Sequence, residues 1–204
     1  MKNGSNSDRK SQILYFLRET TIVVIGVLIA VTLNNYKESI DNQDYLDKTL
    51  RAVKNEVIYN VGEIDTVLIT HIELLEYVVE NIENEEKALV DLIIDKGGIK
   101  GATIRNISLR FFVANKAELI DYELISQLSD IEETTNMLRL KMEKLVDFAY
   151  VNVQKADEDT KTKFYFYLQN VIDSEKALSE QYSRFLQNQG IQQQVEIKEN
   201  DSIN

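Results

Sequence analysis

Cysteine, proline and tryptophan are absent from this 204-residue chain, histidine occurs once and glycine seven times. Without cysteine there is no disulfide scaffold, thiolate zinc site, iron–sulfur cluster or cysteine nucleophile. Average usage near ~5% would place roughly ten prolines in a chain of this length. Proline is the residue that most firmly ends a helix, so its absence predicts long, uninterrupted helices. The single histidine, His71, narrows the chemistry further. A di-iron bundle needs Glu-x-x-His on two helices, and that motif does not occur. No Gly-x-Ser-x-Gly elbow offers a serine for a triad built on His71.

Positive charge is scarce except at the start. The chain carries −11 overall, but Lys2, Arg9, Lys10 and Arg18 against Asp8 and Glu19 make the first nineteen residues +2 and leave −13 beyond them. Behind this basic stretch lies the uncharged run from Thr20 to Leu33. Fourteen residues fall short of the ~20 that a ~30 Å hydrocarbon core requires. Ile13, Leu14, Phe16 and Leu17 supply the missing apolar surface and Tyr15 suits the headgroup level, which predicts a transmembrane helix over residues 13–36. Arg18 can snorkel along its alkyl stem to the interface, or the helix starts at Thr20 with Arg18 and Glu19 among the headgroups. Ala30-Val-Thr32 is a poor signal-peptidase site, so an uncleaved anchor is expected. The excess of Lys and Arg before the segment orients residues 1–12 to the cytoplasm and the remainder outside. Within the span, Gly26 and Ala30 have the small-xxx-small spacing of close helix pairing.

The run from Arg18 to Tyr36 resembles an uncharacterised bacterial family of single-pass inner-membrane proteins, whose members read G-E-I-x-L-V-V-I-G-I-L-I-A-L-x-I-N-N-W-N-E here. Glu19, Gly26, Ala30, Asn34 and Asn35 match residue by residue, whereas Arg18 replaces a glycine and Tyr36 a tryptophan. A looser similarity covers residues 116–131, without the family's turn glycine. The resemblance implies an uncleaved anchor with a helical extracytoplasmic part. It implies no activity, and marks those five residues as candidate membrane-helix contacts.

Beyond Tyr36, Leu46, Leu50, Val53, Val57, Val61, Ile64, Leu68, Ile72, Leu75, Val79 and Ile82 recur at threes and fours. That stripe predicts one long helix over residues 37–86, with Gly62 as its only point of weakness. Three glycines within residues 95–101 mark a break, and irregular structure with at least one helical turn is expected through Val113. Helices are predicted at 116–127, at 131–154 behind a Ser129-x-x-Glu132 capping-box spacing, and at 157–189 with Gly190 as its stop. Residues 191–204 read as a disordered tail. The expected fold is all-α: a membrane helix continuing into a long helix, with an antiparallel extracytoplasmic bundle over residues 37–190.

Function is less legible. His71 falls on the apolar stripe, where a lone histidine reads as a packing residue and not a metal ligand. The glutamates at 73, 76, 80, 83, 85 and 86 read as a solvated face, since no calcium-loop motif accompanies them. Lys96, Lys100, Arg105 and Arg110 gather cations around the glycines and form a candidate anion or headgroup contact. A domain at −13 with no basic stripe excludes nucleic acid. No cofactor and no catalytic set are expected. The expected role is a non-enzymatic envelope scaffold whose partners are the membrane and other envelope proteins or a second copy. The alternative is an extracytoplasmic sensory domain that binds a ligand and signals through a partner. A polar pocket near His71 would favour the sensor, and an exposed apolar stripe the scaffold.

Overall fold

The computed structural model describes residues 5–115 and 119–201, and every regular element among them is helical. They are α1 (Ser5–Glu80), α2 (Leu89–Asp95), α3 (Ile107–Asn115), α4 (Tyr122–Asn152) and α5 (Glu158–Asp201). The chain divides into two units, residues 1–48 and 49–204.

The first unit is the leading part of α1. One 18-residue window there reaches a mean hydropathy of 2.0 with none of it buried, so this helix is long and apolar enough to cross a membrane. Two of its threonines are satisfied internally: Thr21 and Thr32 donate to the carbonyls of Leu17 and Leu28, each at 2.8 Å. Back-bonding of this kind removes the cost of an exposed hydroxyl in an apolar medium.

In the second unit, three helices share one packing rule. Along α1 the buried positions are 53, 57, 60, 64, 67, 71, 74 and 78. Along α5 they include 161, 164, 168, 171, 175, 178, 182, 185 and 189. Buried Leu128, Ile131, Leu138, Leu145 and Ala149 follow the same register on α4. Alternating steps of three and four make a seven-residue repeat, the spacing that lets side chains of one helix enter the gaps of the next. The seam on α1 is not the apolar stripe expected from sequence. Beyond Ile64 it runs through Val67, His71, Leu74 and Val78, leaving Leu68, Ile72 and Leu75 half-buried. Polar Asn60 and His71 occupy core positions because partners on α5 receive them: Asn60 donates to the Tyr182 hydroxyl at 3.2 Å, and His71 meets Glu175. As α1 is ascended from 60 to 71, the partner number falls from 182 to 175.

α4 and α5 form a helical hairpin closed by residues 153–157, with Phe148 against Tyr167 at 5.0 Å between ring centroids and the Lys141 ammonium on the Ser174 hydroxyl at 2.7 Å. Asp157 starts α5 by accepting from the Thr160 amide and hydroxyl, both at 2.9 Å, and these bonds hold its carboxyl below the usual range. Lys161, in the first turn of α5, is fully buried and donates to the carbonyls of Asn81 and Asn84 just past the end of α1. Burial lowers its pKa, opposed by Asp157 and Glu85. The amides of Leu89 and Val90 opening α2 donate to the carbonyls of Lys155 and Val153, each at 2.8 Å, so unpaired ends of two helices satisfy each other.

Several boundaries differ from expectation. α1 passes Gly62 unbroken and ends at Glu80 instead of residue 86, where Asn81 bonds back to the Tyr77 carbonyl at 2.9 Å. Residues 116–127 and 131–154 do not form two helices: α4 starts at Tyr122, capped by Asp121, and passes straight through Ser129. Nothing between Tyr122 and Asn152 breaks a helix, so the Ser129 spacing is incidental; the predicted start at 116 lies outside the described residues. The segment 104–113 contributes a true helix, α3, whose Ser108 amide donates to the Glu56 carboxylate at 3.0 Å. At the far end, α5 continues past Gly190 to Asp201 where a tail was expected. Gly190 lacks the positive φ of a left-handed stop, and the glutamines after it are good helix formers.

Candidate functional site

The five residues matched in the apolar N-terminal segment all lie exposed along α1. Glu19 accepts from the Tyr15 hydroxyl one turn earlier at 3.5 Å. Open space faces Gly26, and Ala30 is one turn away on the same side. Asn34 and Asn35 follow at the polar end.

The four cations grouped around the glycine break are dispersed. Lys96 sits over the Tyr77 ring at 4.8 Å, beside a cluster in which Tyr77 and Lys87 both bond the Asp95 carboxylate. Those two bonds lower the Asp95 pKa. Arg105 instead stacks on Tyr59 at 3.5 Å, and its backbone exchanges hydrogen bonds with the Asn60 amide at 2.7 and 2.8 Å. Tyr59 and Tyr77 are separated by eighteen residues of one helix, about 27 Å. Lys96 and Arg105 therefore serve different places. Lys100 turns back toward Gly97, and Arg110 pairs with Glu132 at 3.0 Å. Gly97 and Gly98 take φ of +81° and +87°, which makes them the left-handed end of α2, bonded to the carbonyls of Ile94 and Ile93.

Arg110 belongs to a different feature, a cleft of about 590 Å³ between residues 101–110 and the flank of α4. Thr135, Arg139, Met142, Glu143 and Val146 line it from α4, and Gly101, Ala102, Ile104 and Asn106 line it from the loop. Glu175 reaches it from α5 and is 1% exposed. The cleft therefore combines an apolar wall, two arginines and a buried carboxylate, within the size range of small-molecule sites.

Behind that carboxylate stands His71. Its Nδ1 lies 3.0 and 3.1 Å from the two oxygens of Glu175, and the imidazole is wholly buried. A carboxylate only accepts, so Nδ1 is the donor and the other nitrogen is left to the interior. Nε2 is buried with no hydrogen-bond partner. Among the described residues no third metal-ligating side chain joins the pair. The arrangement orients a carboxylate at the base of a cleft and satisfies it with one hydrogen-bond donor.

His71 was legible in the sequence as a core position, but Glu175, Arg139 and Glu143 were not singled out. Glu175 had a signal: it fills the gap between Val171 and Leu178 in an otherwise apolar and aromatic repeat. Arg139 and Glu143 had none, because a charge on the solvent side of a helix is ordinary until a loop folds over it. Comparison with protein-family models, curated proteins and solved structures found no match.

Proposed function

We propose that this chain is a single-pass inner-membrane protein whose antiparallel helical bundle lies outside the cytoplasm and serves as a regulatory, ligand-binding domain. The observation that carries this reading is the cleft with the buried Glu175–His71 pair at its base. Folding tends to exclude a carboxylate from the interior unless it is paired, so a buried one lining a cleft suits recognition better than stability. His71 belongs to α1, the helix that also carries the apolar segment, so a change at Glu175 acts on the element that enters the membrane. The apolar window, the basic start and the resemblance of residues 18–36 support an uncleaved anchor with a cytoplasmic N-terminus.

Scaffolding is the second reading, favoured by a specific surface. Met137, Leu140 and Val151 are exposed along α4, beside half-buried Phe148. Such a stripe suits contacts with another envelope protein.

Hydrogen exchange on the full chain in lipid nanodiscs, with and without the low-molecular-weight fraction of a bacterial envelope extract, separates the two. Protection confined to residues 101–110 and the 135–146 flank is the expected result. Unchanged exchange there would remove the ligand reading. A reporter fused after Asn204 and active only in the cytoplasm would overturn the topology.

A further inference from the structure

The cleft has a carboxylate at its base and both of its arginines nearer the mouth. At the base, Glu175 is almost completely buried, and both of its carboxylate oxygens lie within hydrogen-bond distance of the His71 Nδ1. A carboxylate offers about four lone-pair directions and a single N–H engages at most two of them, so acceptor capacity remains. At the mouth, Arg139 and Glu143 are exposed one turn apart on α4, and Arg110 gives its Nε to Glu132, which leaves its terminal nitrogens for another acceptor. Between base and mouth, Ile104, Leu138, Met142 and Val146 supply an apolar wall. The lining from Thr135 to Val146 spans eleven residues of helix, about 16 Å.

A simple anion matches only the mouth, where the base carboxylate would repel it. A simple amine matches only the base, where the arginines would oppose its approach. We infer that the cleft takes a small zwitterion, an ammonium group directed to Glu175 and a carboxylate held by Arg139 and Arg110, joined by an aliphatic body along the Ile104–Met142 wall. This deepens the ligand-binding reading above and rests on it. The separation of the two charges sets which zwitterion fits, so three probes serve as a ruler: L-leucine, glycyl-L-leucine and 6-aminohexanoate.

The test is isothermal titration of the full chain in detergent micelles with each probe, and with hexylamine and hexanoate as half-ligands of 6-aminohexanoate. At least one zwitterion is expected to bind at least tenfold more tightly than either half-ligand. Arg139→Gln, at the exposed mouth and remote from the core, is expected to reduce that affinity tenfold or more. Glu175→Gln is expected to do the same, and circular dichroism melting reports whether it still folds; the Arg139 variant stands alone if it does not. Hexylamine or hexanoate binding as tightly as the zwitterion overturns the proposal, as does Arg139→Gln with unchanged affinity. Absence of binding by all three zwitterions also overturns it. If the envelope extract still protects the cleft in hydrogen exchange, the ligand class falls while the ligand-binding reading stands.

Discussion

His71 and Glu175 hold each other inside the seam between α1 and α5, and neither is tolerable there alone. Replacing His71 by leucine leaves an unpaired carboxylate in a low-dielectric interior, which is expected to cost about 3–5 kcal/mol. In the double variant His71→Leu, Glu175→Met both hydrogen-bonding partners are removed at similar volume, and much of that loss is recovered. Urea unfolding of both variants in the same detergent checks this; a double variant no more stable than His71→Leu would refute the pairing. Lys161 has a different signature. Its pKa is lowered by burial, so between that lowered value and the ordinary 10.5 the unfolded chain binds more protons than the native one. Stability of the wild type therefore rises with pH across that window relative to Lys161→Met. Tyr182, whose pKa burial raises, acts oppositely and erodes stability only above its ordinary 10.0. Unfolding midpoints of wild type and Lys161→Met from pH 7 to 10 are expected to diverge in favour of the wild type, and parallel curves would contradict the assignment.

Glycine separates two kinds of helix feature at the scale of elements. Gly62 lies mid-helix in α1 with open space where a Cβ would stand, so Gly62→Ala is expected to stabilise by about 0.5–1 kcal/mol through lost unfolded-state entropy. Gly98 also has open space, yet its φ of +87° strains any L side chain. Gly98→Ala is thus expected to destabilise by about 1 kcal/mol. Thermal melts of the two variants should move in opposite directions; a common direction would mean that space and not backbone conformation governs both. The helix repeats also differ in what their polar members do. Asn60 joins α1 to both the Arg105 backbone and Tyr182, which fixes where the loop before α3 rests on α1. That loop in turn forms one wall of the cleft.

For the whole molecule, the acidic composition conceals one long apolar segment. The leading part of α1 presents isoleucine, leucine and valine on all sides, whereas in the second unit these residues follow a seven-residue seam. A helix apolar all round suits burial in lipid or within other protein, not exposure to water. Val27→Arg, near the centre of the apolar run, is expected to raise the insertion cost by about 2.5–3.5 kcal/mol. Alkaline carbonate extraction of membranes should then release a substantial share of the variant while the wild type stays in the pellet. Equal retention of both would argue against a span at this position.

What could be read from residues alone was whatever depends on local pattern. The lack of proline, the three-and-four spacing and the uncharged run are properties of a single helix, and they correctly forecast an all-helical chain with one long, apolar N-terminal helix. The break at Gly97 and Gly98 was also legible, because adjacent glycines favour a left-handed helix end. The continuity of α4 was not, since a capping motif looks the same inside a helix as at its start. The cleft lay furthest out of reach. Arg110, Arg139 and Glu175 lie on three helices, and only tertiary packing brings them to the lining of one cleft. Composition determined that the chain is helical and has an apolar segment suited to a membrane. Tertiary structure alone decided which charges are buried and which face one another, because desolvation and Coulomb interaction depend on distances through space and not along the chain.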